Sequence, residues 1–310
     1  MKKVLICGAT GFVGKNLVYS LSKRFKIYAV YNKKPKFYLK NVKWIKADLR
    51  KLNNCLKVTK NCDIVIQAAA TTSGSKDIIN SPYIHVTDNA IMNSYILKSS
   101  FINKVKHFIF TSCTVMYKNS ETPLNETDVD NTKIFDGYFG VANTKLYIEK
   151  MCEFYSKISD TKFSIIRHSN LYGPYDKYDL NKGHFIGSSI VKIFDKKKEI
   201  KIFGEGNEKR DYLYIEDFIR MVKNIVFKQK DKFEIFNCTY GKSYKIKDVL
   251  KKMIEISKTN KEIKHVKGRN LNINILVSSV KAKKKLGWYP KTKLNVGIRK
   301  TLSWYKNYYG

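Results

Sequence analysis

The sequence predicts an α/β fold in which a doubly wound parallel sheet is covered by helices on both faces. Through the first half of the 310 residues, short apolar runs alternate with helical patterns, as they do in β-α-β units. These runs are continuous and do not alternate with polar residues, which is typical of parallel strands buried on both faces. A glycine-rich turn follows the first run directly, and such a turn commonly joins a strand to a helix.

The apolar runs and the helical periodicity place the elements of the first half. The predicted strands are Val4–Cys7, Ile27–Tyr31, Val42–Lys46, Ile64–Ala69, His107–Thr111 and Phe163–Arg167. The predicted helices are Gly14–Lys23, Cys55–Thr59, Thr87–Ser100 and Ala142–Ser156.

The texture changes after residue 170, where Leu171–Gly183 is rich in Gly, Tyr, Asp and Lys and is predicted to be a loop. Further on we predict the strand Ile200–Phe203 and the helices Phe185–Asp195, Glu216–Phe227, Ile246–Ser257, Ser278–Leu286 and Val296–Tyr305. We therefore expect two domains, 1–169 and a smaller 170–310, with segments near 212–238 returning to the first.

The formal net charge of +34 is the kind of balance found in nucleic-acid-binding proteins. Nucleic-acid surfaces, however, rely heavily on Arg, whose planar fork pairs with phosphate and guanine. Here 53 of the 60 basic residues are Lys, and they are spread along the whole chain. We therefore interpret the charge as a solvated Lys-rich surface and consider a nucleic-acid partner unlikely.

Composition also limits the protein class and the compartment. A hydrophobic content of 43% excludes global disorder. No apolar run approaches the roughly 20 residues that a membrane-spanning helix needs, so no membrane association is expected. The six cysteines show no metal-ligand spacing, and we predict no metal site. Scattered thiols of this kind favour the reducing cytoplasm.

The turn after the first strand has the spacing G-x-x-G-x-x-G, with glycines at Gly8, Gly11 and Gly14. Glycines in a strand–turn–helix unit let the backbone approach a pyrophosphate, which then binds at the helix N-terminus. The turn therefore predicts a Rossmann-type dinucleotide site, with Thr10, Phe12 and Val13 as further contacts.

The end of the second strand normally reads the 2′ position of the cofactor ribose. NAD enzymes usually place an acidic residue there, whereas this chain has Asn32, Lys33 and Lys34. Ammonium groups suit a 2′-phosphate, so we expect NADP, with NAD as the alternative. Asp48, followed by Leu49, is placed to accept from the adenine amino group.

Several motifs occur in a fixed order along almost the whole chain. They are the glycine turn, Ala47-Asp48-Leu49, residues 63–70 (DIVIQAAA), residues 167–174 (RHSNLYGP), residues 210–217 (RDYLYIED) and residues 286–290 (LGWYP). Together they resemble the extended short-chain dehydrogenases that act on nucleotide sugars. The segment 170–194 is similar to that of the GDP-L-fucose synthases.

The resemblance implies hydride transfer between NADP and a 4-keto carbon, with Lys145 binding the nicotinamide ribose. Family enzymes place a Tyr four residues before this Lys, where this chain has Val141. Tyr138 lies seven residues before Lys145, about two helical turns away. We expect Tyr138 to act either from an extended helix, through a short bulge, or not at all.

The resemblance also points to a hydroxyl at position 113, where this chain has Cys113. A thiol is a weak donor, so Thr114 or Ser112 is the alternative source of a hydroxyl. Fucose synthases carry an epimerisation Cys at the position of Val115; only a shifted alignment would make Cys113 that base. His184 matches the family's catalytic His, as an acid or a substrate ligand.

The remaining expectations also come from the resemblance. Substrate contacts are implied for Asn170, Arg210 and Arg269, the two arginines meeting the nucleotide diphosphate; the alternative for Arg210 is a salt bridge to Asp211 or Asp217. Cofactor contacts are implied for Ala68, Ala69, Ala70 and His168. Tyr147 and Glu149 are expected on a packing face.

The function that the resemblance implies is NADP-dependent reduction of a nucleotide-activated 4-keto-6-deoxy sugar for polysaccharide biosynthesis, with or without an epimerisation step. In that scheme residues 1–169 bind the cofactor, 170–310 bind the nucleotide-diphosphate sugar, and two copies form a homodimer. One alternative is an epimerase with tightly bound NAD(P). Another is a non-catalytic dinucleotide-binding scaffold with an RNA or protein partner.

Overall fold

The computed structural model describes residues 1–33, 36–72, 81–267 and 273–310. Its strands are β1 (Lys3–Cys7), β2 (Lys26–Tyr31), β3 (Val42–Lys46), β4 (Ile64–Gln67), β5 (His107–Cys113), β6 (Ser120–Leu124), β7 (Lys162–His168), β8 (Asn170–Tyr172), β9 (Glu199–Phe203), β10 (Lys209–Tyr214), β11 (Phe233–Cys238), β12 (Ser243–Lys245), β13 (Glu262–Val266) and β14 (Ile275–Val277). Its α-helices are α1 (Phe12–Leu21), α2 (Leu52–Thr59), α3 (Thr87–Ile102), α4 (Phe139–Ile158), α5 (Phe185–Phe194), α6 (Ile215–Lys228), α7 (Ile246–Ser257), α8 (Val280–Leu286) and α9 (Leu294–Tyr309).

Seven strands form one parallel sheet in the order β11-β7-β5-β4-β1-β2-β3. Alternate residues of β1 enter two different cores: Val4 and Ile6 pack with α1 and α6, whereas Leu5 and Cys7 pack with α2, α3 and α4. Both faces of the strand are therefore apolar, which explains the continuous apolar runs in the sequence. The predicted doubly wound α/β fold is confirmed.

The elements predicted in the first half are present, with shifted ends. The helix predicted at Ala142–Ser156 is α4, which begins at Phe139. The strand predicted to reach Ala69 stops at Gln67. It stops because the chain turns there to pack against the glycine turn: a Cβ on Gly8 would lie 2.7 Å from the Cα of Ala69.

The second half contains the predicted helices and several strands that the sequence pattern does not reveal. The segment Leu171–Gly183, predicted as a loop, begins inside β8, which pairs in parallel with β10. Strand β11 lies at the edge of the large sheet beside β7. These strands have polar residues with specific partners between their apolar ones, so they lack the continuous apolar run on which the prediction depends.

Asp217 joins two of the sequence motifs. Its buried carboxylate accepts the N–H groups of Lys291 (3.1 Å) and Thr292 (2.9 Å) and pairs with Arg220 at 2.7 Å. Its backbone carbonyl accepts the indole N–H of the buried Trp288 at 2.9 Å. The residues 210–217 and 286–290 therefore meet in one packing unit, which holds the start of α6 against the approach to α9.

Within the described ranges, no helix combines the length and the apolar character needed to span a bilayer. The six cysteines are all described, and none forms a disulfide.

A buried carboxyl group supports the start of α5. Asp176 is only 6% exposed. One oxygen accepts the N–H of Lys177 at 2.7 Å, and the other has no hydrogen-bond partner in the described part of the chain. A Cβ on Gly187 would lie 3.3 Å from that second oxygen, so the carboxyl group packs against the first turn of α5. Burial raises the pKa of Asp176 from 3.8 to about 7.

This raised pKa makes stability depend on pH. Between pH 4 and pH 7 the folded chain keeps a proton on Asp176 that the unfolded chain has lost, so the free energy of unfolding falls as the pH rises through this window. At about 1.4 kcal/mol per pKa unit, the loss is at most about 4 kcal/mol. We expect Asp176→Asn to remove this part of the fall, as measured by urea unfolding across the pH range. The exposed Asp179→Asn is the control and should keep it; equal pH dependence of wild type and Asp176→Asn would contradict the assignment.

Candidate active site

The glycine turn lies at the carboxyl end of β1 and starts α1. Gly8 has a φ of +70°, and a Cβ on Gly14 would lie 2.1 Å from the Gly8 carbonyl oxygen, so neither position has room for a side chain. The helix N-cap is Gly11, with no side-chain cap. The first-turn N–H groups therefore remain open to an anion. Thr10, Phe12 and Val13 belong to the turn and the first turn of α1, and the backbone of Ala68 and Ala69 lies against Gly8.

The end of β2 presents cations and no carboxylate. Asn32 and Lys33 are exposed, and Lys34 lies outside the described residues. The structure adds Lys15, which the motif reading missed: its Nζ stands 5.0 Å from the ring centroid of Phe37 and 4.2 Å from that of Tyr175. Lys15 has no acidic partner among the residues described. The feature of the sequence that could have identified Lys15 is its position directly after the third glycine of the turn.

Asp48 is engaged by its own neighbour. Its carboxylate accepts from Nε and NH2 of Arg50 at 3.0 and 2.8 Å, which helps to lower the pKa of Asp48 to about 2. Arg50 also reaches Asp88 at 3.1 Å. An adenine amino group would have to compete with Arg50 for these oxygens. The side chain of Leu49 is buried in the core.

Four predicted residues meet at the carboxyl ends of β5 and β7. Cys113 and His168 are register partners on the two strands, and the N–H of Thr114 donates to the His168 carbonyl at 3.1 Å. Lys145 reaches them from α4: its Nζ donates to the Thr111 carbonyl at 2.9 Å and lies 4.7 Å from the ring centroid of Phe110.

Burial sets the protonation of this group. It lowers the pKa of Lys145, although the nearby charge of Glu149 opposes the shift. It raises the pKa of the Cys113 thiol. It lowers the pKa of His168 to about 4, so the imidazole is neutral at pH 7. His168 Nδ1 lies 2.8 Å from the Ser169 carbonyl. Since a carbonyl oxygen can only accept, the hydrogen is on Nδ1 and Nε2 carries the lone pair.

The structure separates the candidate hydroxyl groups. Ser112 is completely buried and donates to Glu149 Oε1 at 2.6 Å. The hydroxyl of Thr114 makes no hydrogen bond within the described ranges, and the residue lies at the end of β5. Thr114, which is 9% exposed, is therefore the one of these two residues whose hydroxyl is not already engaged in the described chain.

Tyr138 lies just before the helix that carries Lys145. It is the N-cap residue of α4, which runs without interruption from Phe139. A bulge between Tyr138 and Lys145 is therefore wrong, and the regular helix does not extend to Tyr138. Its ring makes an edge contact with Phe135 at 5.4 Å, and it lies close enough to Tyr212 of β10 to contribute to that residue's raised pKa, whose main cause is burial.

The second part of the chain contributes His184, Arg210 and Asn170. His184 is the N-cap residue of α5 and is exposed. Neighbouring protein nevertheless displaces part of its hydration, and this, with the charges of Lys177 and His85, lowers its pKa.

The salt-bridge alternative for Arg210 is wrong. Its NH1 donates to the carbonyls of Lys209 (2.9 Å) and Ile273 (3.2 Å). Asp211 instead accepts three backbone N–H groups of residues 240–242, and Asp217 pairs with Arg220. Asn170 is exposed and donates to the Asp211 carbonyl at 2.9 Å. Arg269 lies outside the described residues.

Of Tyr147 and Glu149, which were both expected on a packing face of the helix, only Glu149 lies on one. Glu149 is buried against Arg167, whereas Tyr147 is half exposed. In the part of the chain described, no cluster of His, Cys, Asp or Glu has the arrangement of a metal site.

Comparison with known proteins gives a consistent family. Residues 4–239 match the model of the NAD dependent epimerase/dehydratase family. A GDP-L-colitose synthase of Yersinia pseudotuberculosis is 25% identical over 98% of each chain. A GDP-L-fucose synthase of Azorhizobium caulinodans is also 25% identical, over 98% of this chain and 96% of its own.

Among solved structures, the UDP-glucose 4-epimerase of Thermotoga maritima superposes with a TM-score of 0.88. It is 23% identical, and the match covers 98% of this chain and 99% of that one; at this identity it shows the fold. The predicted resemblance is confirmed: the chain belongs to the NAD dependent epimerase/dehydratase family, enzymes of the extended short-chain dehydrogenase type.

Proposed function

We propose that the protein is an NADP-dependent reductase of a nucleotide-activated 4-keto-6-deoxy sugar. The observation that carries the proposal is the position of Lys145 near Cys113 and His168, where β5 leads into Thr114, at the carboxyl edge where β1 presents the glycine turn. In doubly wound folds this edge is where ligands bind. The relatives named GDP-L-colitose synthase and GDP-L-fucose synthase support a GDP-linked sugar.

The cofactor, when bound, supplies the hydride for the 4-keto carbon. The first-turn N–H groups of α1 bind its pyrophosphate, and Lys145 holds the nicotinamide ribose. The hydroxyl of Thr114 donates to the carbonyl oxygen of the sugar and stabilises the negative charge that develops there. Arg210, with no acidic partner in the described chain, is available to pair with the diphosphate.

The proton that completes the reduction comes, in this proposal, from the imidazolium form of His184, which the lowered pKa makes a stronger acid although it is the minor form near neutral pH. The charges of both Lys145 and His184 contribute to the lowered pKa of His168, whose main cause is burial, so the three groups lie within electrostatic range of one another. Tyr138 instead lies close enough to Tyr212 to contribute to the raised pKa of that residue. Val141 has no exchangeable proton and leaves this role to another residue.

We propose reduction without epimerisation as the main activity. Epimerisation beside a carbonyl needs a base, and the reactive form of a cysteine is the thiolate. Burial raises the pKa of Cys113, which keeps the thiol protonated near neutral pH.

Turnover tests the proposal directly. A GDP-linked 4-keto-6-deoxyhexose should cause stoichiometric loss of NADPH absorbance. Lys145→Met should weaken NADPH binding by about tenfold or more, because a charged hydrogen-bond partner worth at least about 1.5 kcal/mol is removed. Lys150→Met, with an exposed side chain on the same helix, is the matched control and should behave as wild type.

Two outcomes of this assay contradict the proposal. Tight NADPH binding without turnover of any 4-keto sugar would favour a scaffold. Sugar conversion without net NADPH loss would favour an epimerase that retains its cofactor.

Tyr138→Phe and His184→Gln test the proton donor, and the larger loss of kcat is expected for His184→Gln.

We further propose NADP over NAD. The support is the absence of a carboxylate at the end of β2 within the described chain, together with Lys33 and Lys15. The ammonium of Lys15 lies over aromatic rings and not in a salt bridge, so binding a phosphate breaks no ion pair.

Lys15→Met should therefore weaken NADPH binding about tenfold, the effect of one charge-assisted hydrogen bond, and leave NADH binding unchanged. Titration of intrinsic fluorescence measures both affinities. Lys23→Met, beyond the far end of α1, serves as the control. An equal loss for NADH and NADPH would remove Lys15 from the 2′-phosphate site.

We propose that two copies associate through α3 and α4. Both helices expose large apolar side chains: Ile91 and Ile102 on α3, and Tyr147, Phe154 and Ile158 on α4, with exposures of 36 to 57%. Spacings of eleven residues on α3 and of seven and four residues on α4 place them on one outward face of each helix, and exposed apolar surface of this kind marks interaction sites.

Phe154→Glu should convert a dimer into a monomer, because an unpaired charge would be buried in the interface. Light scattering after size-exclusion chromatography gives the mass. Phe227→Glu on α6, where the side chain is 58% exposed, should leave the mass unchanged. A wild-type protein that is monomeric at micromolar concentration would refute the dimer.

We place the enzyme in the cytoplasm. The six cysteines without a disulfide support a reducing compartment.

A further inference from the structure

A buried ion pair lies beneath the proposed site. Glu149 on α4 and Arg167 on β7 each expose only 4% of their side chains, and Arg167 NH2 lies 2.6 Å from Glu149 Oε2. Arg167 Nε adds contacts of 3.2 Å to both carboxylate oxygens. Ser112 on β5 donates to Oε1 at 2.6 Å. One carboxylate therefore holds a helix and two strands together.

The network continues through the other arm of Arg167. NH1 donates to the Tyr117 hydroxyl at 2.9 Å and to the Glu126 carbonyl at 2.8 Å. The Tyr117 hydroxyl in turn donates to Asn237 on β11 at 2.7 Å. The buried pair of Glu149 and Arg167 thus has hydrogen-bond partners on every side, which a buried charge requires.

Ser112, Arg167 and Glu149 each lie next to a residue of the proposed site, either along the chain or one helical turn away. Ser112 precedes Cys113 and Thr114, and Arg167 precedes His168. Glu149 lies four residues after Lys145, one turn along the same helix. Any shift of α4 relative to β5 and β7 would therefore move the ammonium of Lys145 away from the hydroxyl of Thr114.

We infer that Glu149 is a positioning residue: by binding Ser112 and Arg167 at once, it fixes the distance between Lys145 and the ends of β5 and β7. This inference rests on the proposed function. Its charge also favours the ammonium form of Lys145. Small displacements of positioned groups have large effects, since a 1 Å misplacement can cost about a hundredfold in rate.

The opposite end of the same two strands provides a comparison. There, Ser164 of β7 is buried, hydrogen-bonded to His107 of β5 at 2.7 Å, and donates to Gln229. The hydrogen bonds of Ser164 involve no carboxylate in the described part of the chain, and this end of the two strands carries no residue of the proposed site. Ser112 and Ser164 are therefore a matched pair: both are completely buried and both donate one side-chain hydrogen bond, at opposite ends of the sheet.

Two ligands separate positioning from stability. NADPH contains the nicotinamide ribose that Lys145 would hold, whereas adenosine 2′,5′-bisphosphate lacks it. We expect Ser112→Ala to weaken NADPH binding at least threefold, to leave adenosine 2′,5′-bisphosphate binding unchanged, and to lower kcat about tenfold. We expect Ser164→Ala to have a similar effect on the melting temperature and none on the ratio of the two affinities.

A second comparison covers the carboxylate itself. Glu149→Asp keeps the charge and should recover part of the affinity ratio that Glu149→Gln loses. If Ser112→Ala and Ser164→Ala leave the affinity ratio at its wild-type value, or change it equally, the positioning role is wrong while cofactor binding stands. If the wild-type protein binds neither NADPH nor NADH, the proposed function itself fails, and the positioning role with it.

Discussion

A backbone contact within one turn constrains the whole site: the carbonyl of Gly8 meets Gly14 with no room for a Cβ. This contact fixes how far the start of α1 stands from the end of β1. Because Gly8 has no Cβ, the backbone of Ala69 can pack directly against it. This packing requires β4 to end at Gln67 and the chain to leave the sheet there. The open first turn of α1 and the carboxyl edge beside it are consequences of a backbone contact that only glycine allows.

Much of the fold could be predicted because its signals are local. Strands that are buried on both faces are recognisable in the sequence as continuous apolar runs. Helices such as α6 and α7 are recognisable by their amphipathic period. Strands β8 and β10 carry polar residues such as Asn170, Arg210 and Asp211, whose partners come from distant parts of the chain. Long-range pairing of this kind leaves no periodic trace, and the strands were therefore missed.

The candidate site likewise has a part that could be predicted from the sequence and a part that could not. The glycine turn follows from its spacing, and Lys145 follows from the family resemblance. The choice between Ser112 and Thr114 could not be made from the sequence, because it depends on Glu149, 37 residues away. The relation of Lys15 to Phe37 and Tyr175 is likewise set by tertiary packing. The sequence identifies which chemical groups are present, and the folded chain determines which of them are already engaged.

The excess of lysine has a consequence for the speed of encounter. Lys15, Lys33 and Arg210 have no carboxylate partner in the described chain, and the remaining surface carries few acids to cancel their field. A dinucleotide and a sugar diphosphate are both multiply charged anions, so they drift towards such a molecule before any contact forms. Their association rates should therefore be high at low ionic strength and fall as salt shortens the range of the attraction.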